Sequence, residues 1–493
     1  MSAPEFASTG IPGLDNVLAG GFTRERVFLV EGVPGSGKTT LAMQFLMAGA
    51  ADGEPVLYVT LSETERELRA VAESHGWSLR GIEIRELTPP ESALDPDEQN
   101  TLFHPSELEL VETSKRILED VERLKPKRLV LDSLSELRLL AGNPLRHRRQ
   151  ILALKHVFAR RACTVILLDD ITGANHDLQM QSIAHGVVLL EQAHPEYGAD
   201  RRRVRVVKYR GVKFRGGYHD YVIRTGGIEV YPRLVASEYR HSPRRQRLAS
   251  GVAEIDALIG GGLEEGTSTL IVGAAGTGKS TLAAQFAAAA AARGQSSALY
   301  LFDEAPQTLL SRCTEIGIDL ERHVEQGTVV LRQVDPAELT PGEFTDSIKR
   351  QVEAGAKMVI VDSLNGYLNA MPGERYLTVQ LHELLAYLSQ QAVATIMIGA
   401  HHGLIGTQMS SPVDASYLAD AVIMLRYFEA RGEVRQAISV VKKRGSKHER
   451  TIREYRLDSD GIRVGEALRQ FRGVLTGVPK YEGDAAPLLE PKG

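Results

Sequence analysis

The chain has 493 residues, room for about three domains at roughly 150 residues each and enough to bury sizeable cores. Its 58 Lys and Arg against 63 Asp and Glu leave a formal net charge of −5, which excludes a protein that coats nucleic acid through bulk charge. A hydrophobic fraction of 43% with 25% charged residues excludes wholesale disorder.

In chain order, the opening segment MSAPEFASTG has neither a positive stretch nor an apolar core, so no secretory signal is expected and the compartment reads as cytoplasmic. A β-favouring run, Arg26 to Glu31, then leads into a glycine-rich loop and an amphipathic helix. Further buried strands are predicted at Val56 to Leu61, Arg128 to Leu131 and Thr164 to Leu168. A cation-rich stretch, Arg201 to Arg215, follows and reads as a strand edge. A polar, basic segment, Ser237 to Ser250, reads as a linker. The opening pattern then returns: STGIPGLDNVLAGGFTRERVFLVEGVPGSGKTTLA is matched without a gap by ASGVAEIDALIGGGLEEGTSTLIVGAAGTGKSTLA, 241 residues later (Lys38 to Lys279). Strands are predicted again at Thr269 to Val272, Ala298 to Phe302, Met358 to Val361 and Ala394 to Ile398. The alanine-rich run Ala283 to Ala292 is too short and too weakly apolar to span a bilayer, which needs roughly 20 apolar residues, so it reads as a soluble helix.

The repeat replaces three domains with two: residues 1–236, a linker at 237–248, residues 249–478, and a loose Pro- and Gly-rich tail at 479–493. Alternating strands and helices predict, in each copy, an α/β fold with a mostly parallel sheet, helices on both faces and ligand sites at the strand C-terminal ends. Cys163 and Cys313 lack metal-ligand spacing and are expected to be buried small residues. His401 and His402 have no ligand-spaced partner and read as packing groups.

The strongest motif is G-x-x-x-x-G-K-[ST], at Gly32 to Thr39 and again at Gly273 to Ser280. Glycines let backbone N–H groups wrap phosphates, the lysine neutralises β and γ oxygens, and the hydroxyl coordinates Mg²⁺. The expected ATP contacts are Gly32, Gly35, Ser36, Gly37, Lys38, Thr39 and Thr40, and Gly273, Gly276, Thr277, Gly278, Lys279, Ser280 and Thr281. An acid ending an apolar strand should hold the Mg²⁺ shell. RLVLDSL supplies Asp132 and MVIVDSL supplies Asp362, beside Thr39 and Ser280. A carboxylate should orient or deprotonate the attacking group; after another strand, TLSETE offers Glu63 and LFDEAP offers Asp303 and Glu304. Finally, VVKYRG and VVKKRG align Lys208 and Arg210 with Lys442 and Arg444. These cations suit a solvated strand edge, a nucleic-acid stripe, or an oligomer that presents them to its neighbour's triphosphate.

Taken together, the tandem phosphate loops, the S-G-x-x-x-x-D lead-in (Ser250 to Asp256), the G-W-x-L of Gly76 to Leu79, the two D-S-L acids, the K-x-R-G-S-x-H of Lys442 to His448 and the ending R-x-F-x-x-V-L-T-G-x-P of Arg469 to Pro479 resemble the KaiC family, circadian-clock ATPases and autokinases of the RecA-like superfamily. The resemblance implies two stacked rings of six protomers with ATP at the subunit interfaces. Lys208, Arg210, Lys442, Arg444 and His448 would then reach the neighbour's nucleotide. It also implies an N-terminal ATPase and a C-terminal domain that phosphorylates two adjacent hydroxyl residues. The matching pair here is Ser416 and Tyr417; tyrosine replaces the family's threonine, which argues against a two-site cycle and leaves Ser416 as the acceptor. The family's paired catalytic glutamates are Ser62 and Glu63 in the first domain, so hydrolysis there rests on Glu63, and Asp303 and Glu304 in the second. The segment after Pro479 does not resemble the family's regulatory tail, so KaiA-type control is not expected, while a KaiB-like partner on the first ring is compatible with the sequence. Two readings compete with an ATP-driven signalling or timing hexamer: a RecA-like nucleic-acid motor, against which the acidic balance argues, and a nucleotide-gated scaffold without kinase activity.

Overall fold

A computed structural model describes residues 5–87, 105–171, 178–239, 246–369, 376–400, 416–430, 432–474 and 480–481. The chain divides into two compact units, Met1–Arg233 and Leu234–Gly493. Each is built on a nine-stranded sheet. In the first unit the order is Gly227–Tyr231, Tyr218–Arg224, Arg201–Tyr209, Gly186–Ala193, Val27–Gly32, Thr164–Asp170, Arg128–Asp132, Val56–Thr60 and Ile82–Glu86. The strands from Gly186–Ala193 to Ile82–Glu86 pair in parallel, and the remaining three form an antiparallel meander. The second unit repeats the plan, with Ser268–Gly273 between the parallel strands Ala394–Ala400 and Ala421–Ala430, and an antiparallel meander beyond.

The parallel strands are near-continuous runs of Val, Ile and Leu because helices cover both faces of each sheet. Apolar clusters occupy the two faces of the first sheet and of the second, so every predicted strand of the two cores forms close to its expected bounds. The 14-residue helices Lys38–Ala51 and Lys279–Ala292 follow the phosphate loops and are buried on nearly every side, which explains the apolar, alanine-rich composition of the second. Both cysteines are buried thiols, pushed up to about 12 for Cys163 and about 11 for Cys313 by burial first. No helix among the described residues is long and apolar enough to cross a membrane.

The lead-in motif is structural. Asp15 accepts from the backbone N–H and hydroxyl of Thr9 at 2.8 and 2.7 Å, and Asp256 accepts from the Ser250 N–H at 2.7 Å, so each aspartate ties down the turn that enters a short helix.

Three expectations change. Arg201–Tyr209 is not an edge strand: it pairs with Gly186–Ala193 on one side and Tyr218–Arg224 on the other, because the antiparallel meander covers it. The segment 237–248 is structured at both ends. Ala236–Glu238 forms a 3₁₀ turn, Leu234 and Ala236 join the second unit's apolar cluster, and Arg247–Leu248 pairs with Leu263–Glu264. In the tail, Lys480–Tyr481 pairs with Phe471–Arg472, held by the Phe471 and Tyr481 rings 5.3 Å apart. The rest of the tail, and His401 and His402, lie outside the described residues.

Candidate nucleotide sites

Each phosphate loop leaves the C-terminal end of a central strand and turns through left-handed glycines into a helix: Gly35 and Gly37 at φ 82° and 91°, Gly276 and Gly278 at 77° and 89°. A side chain at the second glycine is excluded twice over. The conformation disfavours it, and its Cβ would lie 2.6 Å from Ile223 Cδ1 in one domain and 2.7 Å from Leu457 Cδ1 in the other. No side chain caps either helix start, so the first N–H groups of Lys38–Ala51 and Lys279–Ala292 remain available to an anion. Lys38 Nζ donates to the carbonyls of Gly32 and Val33 at 2.9 and 3.0 Å; Lys279 Nζ donates to Ala274 O at 2.7 Å. In the first loop the Ser36 hydroxyl is buried with no hydrogen-bond partner, whereas Thr277 Oγ1 donates to Ala274 O at 2.8 Å. A cradle of backbone donors with a buried lysine and an adjacent hydroxyl fits a polyphosphate.

The strand-end acids stand beside these loops. The Thr39 hydroxyl is 3.4 Å from Asp132 Oδ2, which also accepts from Tyr58 OH at 2.6 Å. Burial raises the Asp132 carboxyl, and the Tyr58 hydrogen bond opposes the rise. In the second domain Leu299 stands where Tyr58 does, and Asp362 is pushed up to about 6, by burial first, with Glu304 and Asp303 adding and the Ser280 hydroxyl and Lys279 opposing. Such a hard-oxygen pair, hydroxyl plus carboxylate, suits a divalent cation accompanying the phosphates.

Glu63 lies one turn past Thr60, whose hydroxyl bonds both the N–H and the carbonyl of Glu63 and so fixes the strand end. The Glu63 carboxyl is half-buried, with Oε2 lacking a hydrogen-bond partner, and its pKa is raised by burial, then by Asp132, Glu67 and Asp170. Glu304 is held differently: Arg312 grips both of its oxygens at 2.8 and 3.0 Å. Asp303 accepts from the Ser363 hydroxyl, which in turn accepts from the Gly366 N–H at 3.0 Å.

The matched cations do not gather at their own phosphate loops. Lys208 and Lys442 stand opposite Val187 and Val422, which pair with Leu29 and Leu270, three residues before Gly32 and Gly273. At about 3.3 Å per residue and 4.8 Å per strand, that places them on the order of 14 Å away, toward the opposite end of the sheet. There they meet carbonyls of the chain before the neighbouring strand. Lys208 donates to Gln181 O and Arg210 to Ser182 O; Lys442 donates to Ser416 O and Ala419 O at 2.8 Å each, and Arg444 to Tyr417 O at 3.3 Å. Ser416 is exposed at the same end, four residues before Asp420, whose N–H donates to Ser268 O at 2.8 Å. His448 is half-buried on the segment following these cations. The arginines just upstream find acids: Arg202 pairs with Asp200, two residues before it, at 3.1 Å, and Arg203 with Glu191 across the sheet at 3.8 Å.

Three residues of the candidate sites escaped the sequence, the first being Tyr58 beside Asp132. Asp170 ends the strand beside the first phosphate loop and pairs with Lys38 at 2.8 Å; it has the same signature as Asp132, an apolar run ending in an acid, but no counterpart in the repeat. Arg312 lies eight residues after Glu304, inside the following helix, and carries no motif.

A family model described as the KaiC ATPase matches residues 7–235 and 248–469. The chain is 27% identical over 478 residues to the circadian clock oscillator protein KaiC of Picosynechococcus sp. PCC 7002, covering 96% of this chain and 92% of that one. It is 28% identical over 492 residues to the circadian clock protein KaiC3 of Synechocystis sp. PCC 6803, covering 97% and 95%.

Proposed function

Because the chain belongs to the KaiC family of ATPases, we propose that both of its domains bind and hydrolyse Mg²⁺-ATP and that the second also phosphorylates Ser416, in a homohexamer that acts in signalling or timing. The observation that carries this reading is the duplication of one cradle, glycine loop, buried lysine, hydroxyl and strand-end aspartate, in the same geometry in two units. Gly32, Gly35, Ser36, Gly37, Lys38 and Thr40, with Gly273, Gly276, Thr277, Gly278, Lys279 and Thr281, would surround the phosphates. Thr39 with Asp132, and Ser280 with Asp362, would hold the metal, which polarises the phosphoryl oxygens when bound.

In the first domain Glu63 accepts the proton of the attacking water, a role suited to a carboxyl whose proton affinity is raised by burial and neighbouring acids. In the second, Ser416 Oγ attacks the γ-phosphorus, the bond to the β–γ bridging oxygen breaks, ADP departs, and the serine proton passes to the Asp303 and Glu304 pair. Ser416 lies at the end of the sheet away from its own phosphate loop, together with Lys442 and Arg444. A neighbour's nucleotide reaching those cations therefore reaches the serine as well, which supports a transfer between chains and a trans role for Lys208, Arg210 and His448. The pairing of Arg202 and Arg203 with acids favours this reading over a nucleic-acid stripe. A KaiB-like protein is the partner we assign to the first ring, and no KaiA-type control is assigned.

The test is nucleotide occupancy and label transfer in the full chain. Lys38→Ala should empty the first site and Lys279→Ala the second, and labelled phosphate from γ-labelled ATP should map to Ser416. Full occupancy of both variants would overturn the site assignment; label absent from Ser416 would leave an ATPase without the kinase step.

A further inference from the structure

Lys38 and Lys279 occupy equivalent places but have different company. Three acceptors surround Lys38 Nζ: Gly32 O at 2.9 Å, Val33 O at 3.0 Å and Asp170 Oδ1 at 2.8 Å. An ammonium has three N–H donors, so this set uses all of them. Asp170 is held from its other side as well, since Oδ2 accepts from Ser135 Oγ at 3.1 Å and Ser135 Oγ lies 2.5 Å from Ser133 Oγ. The ion pair is sheltered: the Lys38 side chain is 9% exposed and that of Asp170 30%.

In the second domain the register that sets Asp170 beside Gly32 sets Ala400 beside Gly273. Ala400 has no carboxylate, and Asn365, at the position of Ser135, instead bonds the backbone of Ala400 in both directions, at 2.8 and 3.2 Å. The same two positions are coupled in both domains, through a side-chain carboxylate in one and through the main chain in the other. The acid is therefore built into the first site by its own support.

We propose that Asp170 is a further residue of the first nucleotide site, an internal counter-ion that competes with a bound triphosphate for Lys38, and that its absence from the second domain makes the two sites unequal in affinity. The inference rests on the nucleotide-binding reading of both loops. A β- or γ-phosphate oxygen can take a full hydrogen bond from Lys38 only by displacing one of the three acceptors, and the two carbonyls belong to the loop itself. Asp170 is the ligand that must give way, and it remains as a negative charge facing the incoming phosphate.

The full-length chain tests this with a fluorescent, non-hydrolysable ATP analogue and Mg²⁺, reading the first site in a Lys279→Ala background and the second in a Lys38→Ala background. Asp170→Asn, which keeps an acceptor for Ser135, should tighten first-site binding about tenfold and leave the second site unchanged. Ala400→Asp should weaken the second site by a similar factor. Unchanged or weaker first-site binding in Asp170→Asn, with native-like thermal unfolding, overturns the proposal, as does an Ala400→Asp chain that binds as tightly as its parent. Failure of the Lys279→Ala parent to bind the analogue at all would instead overturn the nucleotide reading, and the inference with it.

Discussion

The first domain carries polar groups that the second replaces by carbon: Asp170 against Ala400 beside the phosphate loop, Tyr58 against Leu299 beside the strand-end aspartate, and, at the start of the strand carrying that aspartate, Arg128 against Met358. Arg128 is fully buried and donates to Glu54 at 2.5 Å, Asp52 at 3.2 Å and the carbonyls of Ser8 and Phe45 at 2.7 and 2.9 Å, with its guanidinium 5.0 Å from the centre of the Phe45 ring. Burial would raise the Glu54 carboxyl, but Arg128 and Arg24 together hold it below its usual value. The carboxylates proposed as catalytic show the reverse asymmetry, with Glu304 gripped by Arg312 and Glu63 left among other acids. Two copies of one fold thus place their polar investments at different points, and sequence identity between the copies is a poor guide to how each site is electrostatically tuned.

Hydrogen exchange in the full chain reads each domain separately and can break this contrast. The largest effect should come from Arg128→Ala, which leaves the Ser8 and Phe45 carbonyls without their donor, removes one of the two arginines on Glu54 and opens a cavity against Phe45, and should lower first-domain stability by about 3–5 kcal/mol while leaving second-domain protection intact. Next is acid. His219 is buried, its Nδ1 accepting from the Arg233 N–H at 2.8 Å and its Nε2 facing Arg215 O at 3.1 Å, and burial brings its pKa down to about 4. A depressed histidine contributes stability above its unfolded value near 6.5 that is lost as the pH falls toward 4, so the first domain should lose about 3 kcal/mol across that window. The second domain carries Arg453 there, paired with Glu449, and should show no such step; His219→Gln should flatten the first domain's profile. Tyr58→Phe removes a hydrogen bond to a buried carboxylate and should cost about 2 kcal/mol, again in the first domain alone. The smallest effect concerns the helices after the catalytic turns. Thr64 caps Glu65–Ser74 in a full capping box, whereas Ala305 caps Pro306–Glu315 with no side chain, so Thr64→Ala should cost about 1 kcal/mol and Ala305→Ser should recover somewhat less.

Much of this was legible in the residues. Parallel strands buried on both faces must be continuous apolar runs, so they stood out, and the duplicated glycine loops marked the central strand of each sheet. Asp132 and Asp362 were found because they recur. Asp170, Tyr58 and Arg128 were not, because comparing the copies rewards what is shared and passes over what only one copy carries. The meander was misjudged for another reason: whether a strand such as Arg201–Tyr209 lies at an edge depends on how the strands before and after it pair, and Arg203 meets its acid, Glu191, only across the sheet. That Leu234 and Ala236 pack into the second core was similarly hidden, since a short apolar segment does not declare which core it joins.

The arginine at 128 also constrains the route by which the two halves diverged. A Cβ at Gly49 would lie 2.6 Å from both Cδ and Nε of Arg128, and the second domain has Ala290 at the matching place beside Met358. Starting from an alanine and methionine pair, arginine first would collide with the helix, while glycine first leaves only a methyl-sized gap and a modest loss of helix propensity. One order of substitution is passable and the other is not. Exchanging the pair therefore has a preferred sequence of steps in each direction: glycine before arginine when the first domain's pair is built into the second, and methionine before alanine in the reverse exchange.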